Sequence, residues 1–104
     1  MKSERRKHQR HVRPFEGTYS GSSTRCRIVD ISVGGCFVQS IGGPNPGEPT
    51  VVTVFIGHHK LIFPGKVVYV DHGMGFAVQF TEVAQTELDE LARLLAALEM
   101  KASA

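Results

Sequence analysis

Glycine and proline return so often between residues 15 and 80 that no long helix fits there, and the runs between them favour strands. Phe15–Tyr19 reads as a first strand, closed by the turn signal Ser20-Gly21-Ser22-Ser23. Thr24–Ile31 reads as a second, with Cys26, Ile28 and Asp30 on one face and Arg25, Arg27, Val29 and Ile31 on the other. Gly34-Gly35 interrupts it, and Cys36–Gln39 resumes as a third. Gly42-Gly43-Pro44-Asn45-Pro46-Gly47 is loop by composition and supplies no core residue. Val51–Ile56 and Leu61–Val70 are two further strands joined by the turn Gly57-His58-His59-Lys60. Pro64-Gly65 inside the second of these marks a bulge or an edge. After Asp71-His72-Gly73, Met74, Phe76, Val78 and Phe80 alternate with smaller or polar residues, the period of a half-buried strand. Then the period changes. Leu88, Leu91, Leu95 and Leu98 recur at three and four residues, which predicts a helix over 84–100. Glu87, Asp89 and Glu90 fall in its early turns, where the helix dipole favours acids. Six short strands and one terminal helix make a mainly β chain, a small antiparallel barrel or sandwich with the helix packed against it.

A chain of 104 residues holds one domain. Twelve Lys and Arg stand against ten Asp and Glu, a formal charge of only +2, which argues against a general polyanion binder. The arrangement is less even than the sum. Lys2, Arg5, Arg6, Lys7, Arg10 and Arg13 crowd the first thirteen residues against the single acid Glu4. Residues 1–13 carry almost no apolar side chain, so they read as a flexible basic arm ahead of a folded domain over 14–104. No apolar run approaches the roughly 20 residues of a membrane-spanning helix, and no apolar segment of a secretory signal follows the basic start. Cys26 and Cys36 are too few for a disulfide scaffold and behave as small hydrophobes, as expected in a reducing cytoplasm. His8 and His11 lack a third ligand, and His58-His59 reads as an exposed turn, so no metal is expected. There is no serine–histidine–acid set, no paired-carboxylate cleft and no phosphate loop; the sequence argues against an enzyme.

Two segments carry chemistry. Arg5-Arg6-Lys7-His8-Gln9-Arg10 offers planar guanidinium forks suited to phosphate and to the O6/N7 edge of guanine. Asp30-Ile31-Ser32-Val33-Gly34-Gly35 closes a strand with an acceptor for guanine N1–H and N2–H and a small hydroxyl two residues on, on the same side. The glycine pair lets the backbone turn sharply and a ligand approach closely. Together these groups suit an anionic guanine nucleotide.

At these residues the chain resembles the PilZ family of bacterial cyclic di-GMP receptors. Arg6-Lys7-His8-Gln9-Arg10 matches the family's RxxxR element, and Asp30-Ile31-Ser32-Val33-Gly34-Gly35 matches its [D/N]xSxxG element, one strand apart. Gly65-Lys66-Val67-Val68-Tyr69 and Gly73-Met74-Gly75-Phe76-Ala77-Val78-Gln79-Phe80 look like its late strands, followed by its leucine-rich helix. The resemblance implies a six-stranded antiparallel β-barrel with a C-terminal helix. It implies that Arg6 and Arg10 contact guanine edges and phosphates, that Asp30 and Ser32 hold the guanine, and that Gly34 and Gly35 leave it room. Arg5 stands where the family's ligand stoichiometry is set, and an arginine there is associated with an intercalated cyclic di-GMP pair. The resemblance calls for no cofactor beyond this ligand, for an unidentified downstream protein as partner, and for neither nucleic acid nor membrane insertion. Two other readings compete: an adaptor of the same fold that binds no nucleotide, and a small barrel that binds nucleic acid through the arm.

Overall fold

The computed structural model describes residues 14–22 and 24–103. The elements are β1 (Phe15–Tyr19), β2 (Cys26–Ser32), β3 (Gly35–Gln39), β4 (Pro49–Ile56), β5 (His59–Asp71), β6 (Gly75–Phe80) and α1 (Gln85–Ser103). The strands close into one antiparallel barrel in the order β1-β2-β3-β6-β5-β4. Closure decides between barrel and sandwich, and it satisfies strand edges that an open sheet leaves unpaired.

Side chains pointing inward at a period of two fill the barrel. Ile28, Val38, Val52, Val54, Phe63, Val67, Phe76 and Val78 are all buried. Phe63 stacks on Phe80, with ring centroids 4.5 Å apart, and Tyr19 meets Phe76 edge-on at 5.0 Å. The loop over 42–47 supplies no core side chain, although Gly43 lies tight against the Phe76 ring.

Three sequence expectations change. In β2 the strict alternation fails, because Ile28 and Ile31, three residues apart, are both fully buried. Asp30 adopts φ +52°, and the register of β2 on β3 jumps from Val29↔Phe37 to Ser32↔Gly35, so β2 gains one residue as a bulge. Aspartate enters the left-handed region at lower cost than most residues, which makes this position a natural place for the break. In β5 the bulge falls not at Pro64-Gly65 but at Val68, between the pairs Val67↔Val78 and Tyr69↔Ala77. Pro64 sits inside the β4–β5 ladder opposite Val51 and turns its carbonyl toward the end of β6, accepting from Thr81 N–H at 2.9 Å. The N–H that proline lacks would point the same way, past the end of β6, so the ladder loses nothing. Met74 is not the first inward residue of β6 but an exposed turn residue, its N–H bonded to the Asp71 carbonyl at 2.9 Å.

Helix α1 packs its leucines on its own barrel: Leu91 is fully buried and Leu94 and Leu95 nearly so. Its position follows from strand lengths. β6 ends at Phe80 opposite Gly65, leaving the first residues of β5 without a β6 partner. The helix covers that stretch, with the Glu87 carboxylate accepting from Ile62 N–H at 3.3 Å and Glu90 lying 3.4 Å from His59 Nδ1. Thus α1 and the β2–β3 hairpin share one end of the barrel, and loop 42–47 closes the other.

Candidate ligand-binding site

A concavity of about 220 Å³ opens on the outer face of the barrel, lined by Asp30, Ser32, Gly35, Cys36, Phe37, Tyr69 and Ala77. Its floor is a cross-strand row. Phe37 pairs with Ala77, and Ala77 with Tyr69, so these residues lie side by side over β3, β6 and β5. Asp30 and Ser32 rim the same hollow, as their spacing predicts, although the bulge rather than a regular strand puts them there. Two other hollows, of about 200 and 420 Å³, flank loop 42–47 at the far end of the barrel. They are rich in glycine and proline, and neither is lined by Asp30, Ser32, Gly34 or Gly35.

Ser32 is 8% exposed, and its Oγ accepts from Gly34 N–H at 3.1 Å. It therefore pins the hairpin turn, and its O–H proton is still available to donate. Neither Gly34 nor Gly35 takes a positive φ. Gly35 is glycine for another reason: a Cβ there would lie 2.2 Å from the Val78 carbonyl oxygen on β6. The Gly34 carbonyl accepts from Phe80 N–H at 3.0 Å, which ties the hairpin to the same strand. Gly35 thus serves close strand packing beneath the hollow.

A family model for the PilZ domain matches residues 4–97. The chain belongs to the PilZ family. Among curated proteins, none matched its sequence. Solved structures share the fold. The Bacillus subtilis inhibitor of motility MotI/DgrA aligns with a TM-score of 0.76 and 16% identity over 93% of this chain and 52% of that one. Escherichia coli YcgR, crystallised in complex with c-di-GMP, aligns with a TM-score of 0.78 and 20% identity over 95% of this chain and 48% of that one. The PilZ domain of CeSA from a cellulose-synthesizing bacterium gives 0.60 and 20% identity over 88% of this chain and 98% of that one. This PilZ chain spans about half the length of the first two.

In this PilZ domain the arm residues Arg5, Arg6 and Arg10 lie outside the described residues. The strand they lead into starts beside the hollow, because Phe15 pairs with Ile28, two residues before Asp30. Cys36, under the hollow, has its thiol pushed well above the ordinary range, first by burial and then by the neighbouring Cys26. Burial raises the Cys26 thiol as well. Both are free cysteines, and their raised thiols stay protonated near neutral pH, which makes them poor nucleophiles. Among the described residues, no group of three His, Cys, Asp or Glu could hold a metal, and no helix is long and apolar enough to cross a membrane.

Sequence reasoning missed Phe37, Tyr69 and Ala77. The signal for Phe37 is its place between the inward Cys36 and Val38. Tyr69 gives no such signal, since a period of two from the buried Val67 would send it inward. Only the bulge at Val68 turns it out.

Proposed function

We infer that this PilZ domain is a non-catalytic receptor for cyclic di-GMP. The observation that carries the reading is the meeting of Asp30 and Ser32 at one outer hollow, beside the strand that leads to the arm. Asp30 accepts from guanine N1–H and N2–H, and the Ser32 hydroxyl donates to the same ligand. Arg6 and Arg10 supply charge-assisted bonds to phosphate and to guanine O6/N7. Arg10 lies five residues before Phe15, a reach of up to about 17 Å when extended, and on this reading the arm folds back over the hollow. Binding then orders residues 1–13, and that ordering is the output, since it changes the surface offered to a downstream protein. Arg5, just before the RxxxR element in the sequence, engages a second, intercalated ligand molecule on this reading.

Calorimetric titration of cyclic di-GMP into the wild type and Arg10→Ala tests this. Each charge-assisted bond is worth about 1.5–3 kcal/mol, so Arg10→Ala should bind at least tenfold more weakly. Equal affinities would remove the arm from the site. The titration also counts ligands: one per chain would argue against the intercalated pair. Tight binding that survives moderate salt and competitor RNA separates this reading from a nucleic-acid-binding barrel.

A further inference from the structure

We propose that Phe37 and Tyr69 form a stacking platform for a purine base on the outer face of the barrel. The platform rests on the nucleotide reading above and adds to it the groups that take the flat face of the base. Their rings lie 6.3 Å apart and are inclined at 40°, on either side of Ala77, whose single methyl leaves the space between them open. Both rings line the hollow that Asp30 and Ser32 rim, so a base lying on the platform turns its edge toward the carboxylate.

Two observations mark this aromatic pair as more than surface filling. Phe55, another outward ring, is covered by the Arg25 guanidinium at 4.4 Å, and Arg25 is itself held by Glu16. Tyr69 remains 54% exposed. Exposing a tyrosine ring here also requires a break in the strand, because regular pairing would have put Tyr69 inside the barrel with Val67. A π-face at such a position stacks on any purine, while the carboxylate beside it selects the guanine edge.

The test is calorimetry and tyrosine fluorescence with cyclic di-GMP on the wild type, Tyr69→Ala, Tyr69→Phe and Arg10→Ala. Stacking on an aromatic side chain predicts that Tyr69→Ala weakens binding by about tenfold or more, while Tyr69→Phe keeps the wild-type affinity. Because Tyr69 is more than half exposed, its removal leaves the core intact, and matching melting curves verify this. The chain has two tyrosines and no tryptophan, and Tyr19 sits at the far end of the barrel against Phe76. Ligand should therefore quench wild-type fluorescence, corrected for nucleotide absorbance, and leave that of Tyr69→Phe unchanged. Wild-type affinity in Tyr69→Ala alongside weakened Arg10→Ala would overturn the platform and leave the nucleotide reading standing. Equal losses in Tyr69→Ala and Tyr69→Phe would assign the effect to the hydroxyl and overturn stacking. A wild type that binds no cyclic di-GMP would overturn both readings.

Discussion

Replacing Gly35 by alanine separates two roles that a glycine at this position can play. If it only leaves room for a ligand, an added methyl weakens binding and spares the fold. The structure indicates the opposite. The new Cβ would stand 2.2 Å from the Val78 carbonyl oxygen, with the Gln79 Cα and the Val78 carbonyl carbon both 3.3 Å away. These are backbone atoms, so no side-chain rotation relieves the clash. β3 must retreat from β6 by roughly 1 Å, in the middle of close-packed structure. That movement strains the Gly35↔Gln79 and Cys36↔Val78 pairs and the bond from Phe80 N–H to the Gly34 carbonyl. Overpacking costs about 1–3 kcal/mol, and a weakened backbone bond adds about 1 kcal/mol. For a domain near 100 residues, 2–3 kcal/mol lowers the melting temperature by about 10 °C or more. Thermal unfolding of Gly35→Ala without ligand, followed by circular dichroism, reads this directly. A melting temperature within 2 °C of wild type, together with weakened cyclic di-GMP binding, would refute the packing argument.

Asp30→Gly should keep the left-handed backbone at φ +52°, yet it removes the acceptor that the guanine edge requires. The expected outcome is a folded variant, verified by its melting curve, with cyclic di-GMP affinity reduced by at least about tenfold, and equal affinity would exclude Asp30 from the site. Glu90 supplies the pH dependence. The hydrogen bond from Arg93 holds its carboxyl below the ordinary 4.5, aided by the charges of Arg93 and His59. A carboxylate with a lowered folded pKa contributes its stability above the unfolded value and loses it as pH falls through the folded one. Glu90→Gln should therefore melt slightly below wild type at pH 6, and the difference should vanish toward pH 3; the effect is small because its partner Arg93 is exposed and solvent screens the pair. A difference that persists unchanged at pH 3 would show that Glu90 acts through packing instead.

What the sequence makes legible here follows from which interactions are local. The change from a period of two to a period of three and four at residue 84 is a local pattern, and the helix begins at Gln85. Strand β1 matches its expected span residue for residue, and the others lie within three residues of theirs. Closure is not local: a sandwich and a barrel share the same inward-outward alternation, and only the pairing of β1 with β4 separates them. Met74 misleads because its apolar side chain continues the alternation by coincidence, whereas its N–H belongs to the turn from Asp71. Pro64-Gly65 misleads for a related reason. Proline signals lost hydrogen bonding only if its N–H side meets a partner strand, and β6 has already ended there. Gly65 is required for contact, since a Cβ would meet the Val78 side chain at 2.6 Å and the Gln79 carbonyl at 2.7 Å.

The two bulges have one consequence in common. β2 and β5 flank the β3–β6 pair, and each carries one extra residue against its neighbour, at Asp30 and at Val68. Had β2 stayed regular, Asp30 would share the inner face with Ile28, where an unpaired carboxylate is costly to bury. Had β5 stayed regular, Tyr69 would follow Val67 into an interior already filled by Phe63 and Phe76. The side chains that a regular barrel cannot house are the ones that line the outer hollow. Fold and proposed site are therefore coupled on the barrel. Substitutions at Asp30 that reject a left-handed backbone, such as Asp30→Val, should disturb stability together with the proposed binding, which calorimetry and thermal unfolding of one variant would read side by side.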